Sequence, residues 1–309
     1  MQMYDVIILG GGPAGLTAGL YNARARLKVV LYERLAPGGQ VLTTDWVENY
    51  PGFPDGVSGF ELMDRMKSQA EKFGLRIQND EVMRLDLSES KKIVTTAGET
   101  LETKAVIIAC GATWKKLGIE GEERLMGKGI SFCATCDGPF YRDQEVAVIG
   151  GGDTAVEEAI FLTRFVSKVH IVHRRNQLRA TKLIQERAMA QEKIEFVWDT
   201  IPVSVLGETG VEGIELKNVK TGVVSRKAVK GIFVFIGTIP NTELVKGQLK
   251  LDESGFIVTD DNMQASVPGV FAAGDIRSKL FRQISTAVGE GATASYAVEK
   301  YLEKSLTSS

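Results

Sequence analysis

The sequence predicts an α/β fold made of two doubly wound, parallel-sheet domains, the second inserted into the first. Three observations predict it: a glycine-rich turn at residues 10–15, a second one at residues 150–155, and apolar strands on both sides of each turn. The two turns lie 140 residues apart, and the same offset carries residues 29–34 onto residues 169–174. Each unit therefore reads strand, glycine turn, helix and second strand, which is the βαβ pattern of a parallel sheet.

Length, charge and cysteine content exclude several classes of protein. The 309 residues exceed the size, about 250 to 300 residues, at which one hydrophobic core stops growing, so we expect two domains. The 37 basic and 39 acidic residues give a net charge of −2, which argues against nucleic acid as a partner. We expect no membrane span and no secretory signal, since no apolar run is long enough and no basic leader precedes the first strand. Three cysteines argue against a disulfide scaffold and favour a reducing cytoplasm.

The segments outside the two βαβ units also have local signals. Residues 58–61 form a capping box that begins a helix, and Gly74 ends that helix. Residues 75–109 and 194–235 are typical of short strands and hairpins. These segments are expected to complete the two domains.

A late acidic turn sets the domain boundaries. Residues 271–275 form this turn, and a helix is predicted over residues 284–303. If the late segment belongs with the first unit, the second unit is an insertion, with crossovers near residues 110–116 and 237–244. The predicted domains are residues 1–112 with 243–309, and residues 113–242.

The two glycine turns predict two dinucleotides of different kinds. Glycines let the backbone approach a pyrophosphate, and the following helix offers N–H groups to it, so both domains are expected to be Rossmann-like. The first copy ends its second strand at Glu33, whose carboxylate suits ribose hydroxyls and repels a 2′-phosphate, as FAD or NAD requires. The second copy has His173 there, followed by Arg174, Arg175 and Arg179, which suit the 2′-phosphate of NADPH. Alternatively, these arginines only decorate a solvated helix end.

Cys133 and Cys136 form a Cys-x-x-Cys pair that is followed directly by Asp137. Such a pair can close and reopen a disulfide, and the carboxyl can move the proton that thiolate chemistry needs, unless it is a plain turn aspartate. Half of a zinc site has the same spacing. The only histidines, His170 and His173, are three apart on a predicted strand and point to opposite faces, which argues against zinc.

A flavin is expected between the nicotinamide and the dithiol. NADPH delivers its electrons as hydride, and a disulfide accepts them poorly without a flavin between, which favours FAD in the first domain. The third cysteine, Cys110, ends an apolar strand without a cysteine neighbour, and we interpret it as a buried small hydrophobe.

In these motifs the chain resembles the low-molecular-weight, bacterial-type thioredoxin reductases, from Asp5 to about Tyr301. The resemblance is carried by the segments 10–15, 38–40, 48–53, 133–138, 150–155, 173–180, 274–275 and 282–283. It implies a homodimer with tightly bound FAD, with NADPH as substrate and thioredoxin or a thioredoxin-like protein as partner. The implied FAD residues are Gly10, Gly12, Pro13, Ala14, Gly15, Glu33, Arg34, Gly39, Gln40, Asn49, Gly274, Asp275, Arg282, Gln283 and Ile284. The implied NADPH residues are Gly150, Gly152, Asp153, Thr154, His173, Arg174, Arg175 and Arg179.

The resemblance also implies a mechanism with Cys133, Cys136 and Asp137 as catalytic residues. One domain would rotate against the other, so that the dithiol and the nicotinamide take turns at one flavin. Cys136 would face the flavin, and the thioredoxin docking site would be flanked by Lys128, Phe140, Tyr141 and Arg142. The chain departs from the family at Cys110 and, mildly, at residues 289–291.

Several other functions share parts of this pattern. A ferredoxin-fed flavin disulfide reductase would lack the arginine cluster, and the flavoprotein of an alkyl hydroperoxide reductase normally has an extra N-terminal region. Ferredoxin–NADP reductases of similar fold lack the Cys-x-x-Cys pair. A redox sensor without turnover and a zinc-stabilised structural module are the alternatives from other classes.

Overall fold

The chain forms two units, and it crosses between them twice. The computed structural model describes residues 3–44, 46–88 and 92–307. Met1–Thr113 and Ile239–Ser309 form the discontinuous unit, and Trp114–Thr238 forms the inserted unit. The second unit is therefore an insertion into the first, as the predicted fold class requires.

Both units are of mixed α/β structure. The strands are β1 (Met3–Leu9), β2 (Val29–Glu33), β3 (Arg76–Asn79), β4 (Val82–Leu87), β5 (Lys92–Thr96), β6 (Thr100–Ile108), β7 (Ala112–Trp114), β8 (Ile130–Ser131), β9 (Glu145–Gly150), β10 (Lys168–Val172), β11 (Ile194–Val197), β12 (Thr200–Leu206), β13 (Gly213–Asn218), β14 (Val224–Lys227), β15 (Gly231–Phe235), β16 (Thr238–Pro240) and β17 (Val270–Ala272). The helices are α1 (Pro13–Arg24), α2 (Gly59–Lys72), α3 (Glu122–Leu125), α4 (Ala134–Asp137), α5 (Asp153–Leu162), α6 (Lys182–Met189) and α7 (Ile284–Thr307).

The sheet of the discontinuous unit has a parallel centre in the order β3-β2-β1-β6, and β17 also pairs with β6 in parallel. Strand β5 pairs antiparallel with the first part of β6, and β4 pairs with β5. The apolar run Val6–Leu9 is buried along its whole length, because α1 and α7 cover one face and the segment around Val245 covers the other. Strands buried on both faces give the continuous apolar runs from which the sequence predicts a parallel sheet.

The helices of the discontinuous unit begin and end at the expected signals. Ser58 caps α2, and its hydroxyl accepts a hydrogen bond from the Glu61 N–H at 3.1 Å. Gly74 follows that helix with φ +97°, a conformation that glycine adopts without strain. The late helix α7 begins at Ile284 as predicted, and it ends at Thr307, four residues beyond the expected end. Of the segment predicted as strands over 75–109, residues 89–91 lie outside the described residues.

The inserted unit repeats the central motif of the discontinuous one. Its parallel sheet has the order β11-β10-β9-β15-β8, and an antiparallel sheet of β12, β13 and β14 accompanies it. Helix α1 begins at Pro13 and helix α5 begins at Asp153, so the 140-residue offset in the sequence is an offset between equivalent elements. The two βαβ units are therefore confirmed.

The two crossover segments are hydrogen-bonded to each other through their backbones, once in each unit. In the discontinuous unit the Asn241 N–H donates to the Gly111 carbonyl at 3.1 Å, and in the inserted unit the Lys115 N–H donates to the Gly237 carbonyl at 3.0 Å. The inserted unit begins one residue later and ends four residues earlier than the predicted domain 113–242. The later boundary differs because residues just before 243 are bonded to the discontinuous unit: the Asn241 side-chain amide donates to the Cys110 carbonyl at 2.7 Å, and the Thr242 hydroxyl donates to the Gly255 carbonyl at 2.9 Å.

Candidate functional site

The Cys-x-x-Cys segment connects strand β8 to helix α4. Cys133 and Cys136 form a disulfide, with their Cα atoms 5.3 Å apart. The Ser131 hydroxyl accepts from the Cys133 N–H at 3.0 Å, which fixes the entry to the turn. The Cys133 sulfur accepts from the Cys136 N–H at 3.2 Å, and the Thr135 hydroxyl oxygen lies 3.3 Å from the same sulfur. Both cysteines are half-buried.

Asp137 lies in the same turn as the disulfide. Its N–H donates to the Cys133 carbonyl at 3.1 Å, and its side chain is half-buried. Burial, followed by the negative charge of Asp137, raises the pKa of Tyr141 to about 12. The Tyr141 hydroxyl therefore stays protonated near neutral pH.

Glu158 is an ionisable neighbour of this segment that sequence reasoning missed. It lies on α5, and its carboxyl accepts from the N–H of Ala134, which directly follows Cys133. Burial, with a smaller contribution from Glu157, raises the pKa of Glu158. Its Oε2 atom is buried and has no hydrogen-bond partner among the residues that the structure describes. Its position in a helix, 25 residues from Cys133, gave no sequence signal.

The first glycine turn leaves room at the start of α1. Gly10 has φ +100°, and a Cβ at Gly15 would overlap the Gly10 carbonyl, so helix and strand pack as closely as glycine allows. At Gly12 a Cβ would meet no atom within 4 Å, which leaves open space beside the first N–H groups of the helix. Pro13 occupies the first helical position, where no N–H is needed. A pyrophosphate fits this opening.

Glu33, at the end of β2, holds the first glycine turn. Its Oε2 accepts from the Gly11 N–H at 2.7 Å, and its Oε1 accepts from the Leu35 N–H at 2.9 Å. Two further lone pairs remain on these oxygens, so a ribose hydroxyl can still donate to them. Arg34 is exposed and pairs with Glu81 at 3.3 Å.

Two further contacts join loops of the discontinuous unit, and the first of them involves the same glycine turn. The Gly38 N–H donates to the Gly11 carbonyl at 2.8 Å, and a Cβ at Gly39 would lie 3.3 Å from the Gly12 Cα. The Asn49 amide donates to the Gln283 side-chain oxygen at 3.1 Å, which joins the segment before α2 to the segment before α7. Gln40, beside Gly39, is exposed.

The late turn at Gly274 and Asp275 packs on the start of α1. Gly274 has φ +81°, and a Cβ there would lie 3.0 Å from the Ala14 Cβ. Asp275 Oδ1 is buried, and no described residue gives it a hydrogen bond, although the Lys279 ammonium lies 3.2 Å away as an ion-pair partner. Beside that ammonium, Asp275 Oδ1 keeps a lone pair to which a cofactor hydroxyl group can donate. The residues of the discontinuous unit therefore fit FAD.

Arg282 is built into the late turn. Its guanidinium donates to the backbone carbonyls of Asp275, Arg277 and Lys279 at 3.2 to 3.4 Å. It also lies 4.1 Å from the centroid of the Phe256 ring. Burial lowers its pKa, but the group is still a cation at neutral pH. Arg282 thus stabilises the loop that leads from Asp275 to α7.

The second glycine turn, which lies in the inserted unit, packs against the ring of His173. A Cβ at Gly151 would overlap the His173 ring, which is buried, and the Arg179 N–H donates to the Gly151 carbonyl at 2.6 Å. Burial lowers the pKa of His173, and the charges of Arg179 and Arg175 act in the same direction. The imidazole is therefore neutral at pH 7 and belongs to the support of the turn.

The three arginines of the inserted unit are exposed at the carboxyl end of β10. The Arg179 Nη2 atom lies 3.8 Å from the position of a Cβ on Gly152. Within the described part of the chain, none of the guanidinium groups of Arg174, Arg175 and Arg179 pairs with a carboxylate. Asp153 Oδ1 accepts from the Thr181 N–H at 2.7 Å, while Thr154 is exposed. Cations beside an open glycine turn fit the phosphates of NADPH.

The remaining titratable candidates have structural partners. His170 is buried, and its Nε2 lies 2.8 Å from Glu145 Oε2. The half-buried Cys110 thiol donates to the Leu9 carbonyl at 3.5 Å, and burial, with a contribution from Glu33, raises its pKa to about 12. Cys110 therefore stays a neutral thiol, which suits packing and not catalysis.

Two further findings concern metals and membranes. Among the described residues, no group of three or more His, Cys, Asp and Glu side chains is arranged to hold a metal ion. In the same residues, no helix combines the length and apolarity needed to cross a membrane.

Comparison with known proteins gives the family. The model of the family described as "Pyridine nucleotide-disulphide oxidoreductase" matches residues 4–291. A thioredoxin reductase of Peptoclostridium litorale is 49% identical over 98% of this chain and 98% of its own length. One of Streptomyces coelicolor is 50% identical over 96% of this chain and 94% of its own.

Solved structures agree with this assignment. The thioredoxin reductase of Streptococcus pyogenes has a TM-score of 0.94 at 48% identity, covering 98% of this chain and 99% of that one. The thioredoxin reductase of Lactococcus lactis, in a structure described as the FR conformation, has a TM-score of 0.67 at 46% identity, covering 97% and 99%. The chain belongs to the pyridine nucleotide-disulphide oxidoreductase family and, within it, to the thioredoxin reductases.

Proposed function

We propose that this protein reduces the disulfide of thioredoxin, or of a thioredoxin-like protein, with electrons from NADPH and with FAD as the carrier. The observation that carries the proposal is the half-buried Cys133–Cys136 disulfide, in a unit that also contains a glycine turn flanked by three exposed arginines. The names of the full-length relatives support the same activity. The overall reaction consumes NADPH and one proton, and it yields NADP⁺ and the dithiol of thioredoxin.

The chemistry of the dithiol is carried out by this chain's own residues. Bound FAD supplies a group that accepts hydride from NADPH and returns two electrons to a disulfide. After reduction, one cysteine of the pair attacks a sulfur of the partner's disulfide as a thiolate and forms a mixed disulfide. The other cysteine then attacks its neighbour, which re-forms the Cys133–Cys136 bond and releases the partner's dithiol.

The turn around the disulfide is suited to this exchange. The Cys136 N–H that donates to the Cys133 sulfur would stabilise negative charge on that sulfur when the pair is reduced. Asp137 is the proposed proton donor and acceptor, because its half-buried carboxyl lies in the same turn. Cys136 is proposed to face the flavin, which rests on the family resemblance alone.

We assign the cofactors to separate units. In the discontinuous unit the proposed FAD residues are Gly10, Gly12 and Gly15 with Pro13 and Ala14, then Glu33 with Arg34, Gly39, Gln40 and Asn49, and the late segment Gly274, Asp275, Arg282, Gln283 and Ile284. In the inserted unit the proposed NADPH residues are Gly150, Gly152, Asp153, Thr154, His173, Arg174, Arg175 and Arg179.

Rotation between the half-reactions is proposed to occur at the two crossovers. Gly111 has φ +64° and Gly237 has φ +112°, and glycine absorbs changes in backbone angle more easily than other residues. The Streptococcus and Lactococcus relatives have nearly equal identity to this chain but different TM-scores, which supports more than one arrangement within the family.

The assembly and location are proposed on the family resemblance and on composition. We expect a homodimer, which sedimentation at micromolar concentration tests. We expect the protein to work in a reducing cytoplasm, because its cysteine pair must cycle between disulfide and dithiol. Thioredoxin is proposed to dock beside Lys128, Phe140, Tyr141 and Arg142; of these, Phe140 is an exposed aromatic side chain.

Steady-state turnover tests the proposed function. The purified protein is mixed with NADPH and excess oxidised thioredoxin, and NADPH consumption is followed at 340 nm, the absorption band of reduced nicotinamide. Sustained consumption that is abolished by Cys133→Ser and by Cys136→Ser supports the proposal. Turnover that survives either substitution would contradict it.

A further inference from the structure

A cluster of charged side chains lies behind the late turn, and Glu290 is its centre. Glu290 Oε2 accepts from the Gly274 N–H at 2.7 Å. Glu290 Oε1 lies 3.0 Å from Arg277 Nη1 and 3.2 Å from Lys279 Nζ. The side chains of Arg277, Lys279 and Glu290 are only 12%, 9% and 13% exposed. One carboxylate thus holds a backbone N–H and two nearly buried cations.

The same cluster reaches the predicted FAD residues. Lys279 Nζ lies 3.2 Å from Asp275 Oδ1, so Glu290 and Asp275 share one ammonium group. The Gly274 backbone packs against Ala14 at the start of α1. A Cβ at Gly291, the residue after Glu290, would overlap the Ala14 carbonyl, so α7 is held close to α1 at this point.

We infer that Glu290 is a positioning residue for FAD, which holds the Gly274–Asp275 turn in the shape that receives the cofactor. The inference rests on the proposed function, because it takes this turn as part of the FAD site. Glu290 acts through the turn, and we do not place it in contact with the cofactor. Its carboxylate is the only acceptor for the Gly274 N–H among the described residues.

Loss of the carboxylate would leave the Gly274 N–H without its acceptor and the Arg277 guanidinium without its counter-ion. A buried unsatisfied donor is costly, and removing one partner of a buried ion pair is strongly destabilising. Among the described residues, Lys279 would keep Asp275 as its one remaining counter-ion. Without the carboxylate, the Gly274–Asp275 turn would move toward water, which can bond the N–H group and hydrate the cations. FAD binding would then have to reorder it, and the affinity falls by the cost of that reordering.

The test compares FAD affinity between variants of the whole protein. Apoprotein of the wild type, Glu290→Ala and Glu290→Gln is titrated with FAD well below its unfolding temperature, and the dissociation constant is read from flavin fluorescence. We expect Glu290→Ala to raise the dissociation constant at least about tenfold, which corresponds to about 1.4 kcal/mol. Glu290→Gln should lie between wild type and alanine, since its amide oxygen can still accept from the Gly274 N–H, while Arg277 loses its counter-ion and Lys279 keeps Asp275.

Glu303→Ala is the matched control. Glu303 lies on the same helix and also pairs with a lysine, Lys300, but on an exposed surface. The FAD dissociation constant of the Glu303→Ala variant should stay within twofold of the wild-type value. Wild-type affinity in Glu290→Ala, or equal affinities in the alanine and glutamine variants, would overturn the inference. If Glu290→Ala does not fold, a wild-type affinity in Glu290→Gln overturns it. A wild type that binds no FAD would contradict the proposed function itself.

Discussion

Replacing Arg179 by alanine should weaken the binding of NADPH and leave the binding of NADH unchanged. The guanidinium of Arg179 is exposed beside the second glycine turn, with Nη2 3.8 Å from the position of a Cβ on Gly152. NADPH differs from NADH only in its 2′-phosphate, so a cation that binds this group contributes to one coenzyme alone. The substitution therefore separates a phosphate-binding role from a surface arginine without function.

The expected loss is about tenfold. A hydrogen bond from a charged group contributes about 1.5 to 3 kcal/mol. Arg179 is exposed, and water and salt weaken attractions at the surface, so we take the lower end, about 1.5 kcal/mol. That is about a tenfold decrease in kcat/KM for NADPH, expressed as a higher KM with kcat nearly unchanged, because the 2′-phosphate takes no part in hydride transfer.

The assay is steady-state reduction of thioredoxin with each coenzyme at two salt concentrations. Arg187→Ala is the control, since Arg187 is another exposed arginine of the inserted unit, on α6. The wild-type preference for NADPH should fall as salt rises, because screening is stronger at high ionic strength. An equal loss for NADPH and NADH, or no loss for either, would refute the assignment of Arg179 to the 2′-phosphate.

Three other predictions concern stability and cofactor retention. Gly15→Ala should lower FAD content and cost about 1 to 3 kcal/mol of stability, because its Cβ would overlap the Gly10 carbonyl; flavin absorbance per chain and a thermal melt check this. Burial raises the pKa of Glu158 above its ordinary 4.5, so the unfolded state loses this proton first and stability falls as pH rises through the interval between the two pKa values. Glu158→Gln should remove that part of the pH dependence in urea unfolding, and an unchanged profile would contradict it. Trp114 stacks on Phe132, the residue before Cys133, with ring centroids 5.8 Å apart and planes at 11°. A double-mutant cycle with leucine at both positions should give a coupling of about 0.5 to 1.5 kcal/mol, and a coupling near zero would show that the stack contributes nothing.

The features predicted from sequence are those that local patterns encode. A parallel strand buried on both faces is a continuous apolar run, and a helix that begins at a pyrophosphate site needs glycine before it. For this reason β1 with α1 and β9 with α5 were predictable, together with their 140-residue offset. The Cys133–Cys136 disulfide was predictable because the spacing of the pair allows one, and because the glycine turns before and after the pair favour a redox role over half of a zinc site.

The features that sequence did not reveal depend on contacts between distant residues. Glu290 meets Gly274 across 16 residues, and Glu33 meets Gly11 across 22, and neither pairing has a periodic signature. Glu158 is one of several acidic residues on α5, and only its packing against Ala134 distinguishes it. The later domain boundary was displaced because Asn241 and Thr242 bond to the distant residues Cys110 and Gly255.

In the proposed reaction, electrons pass from NADPH to the Cys133–Cys136 pair and then to thioredoxin. The most direct test is anaerobic: NADPH is added to the purified protein while the flavin band is recorded, and oxidised thioredoxin is then added in excess. NADPH should bleach the flavin band and thioredoxin should restore it, with one NADPH consumed for each thioredoxin disulfide reduced. A flavin band that NADPH leaves unchanged, while a chemical reductant still drives thioredoxin reduction, would contradict the assignment of NADPH as donor.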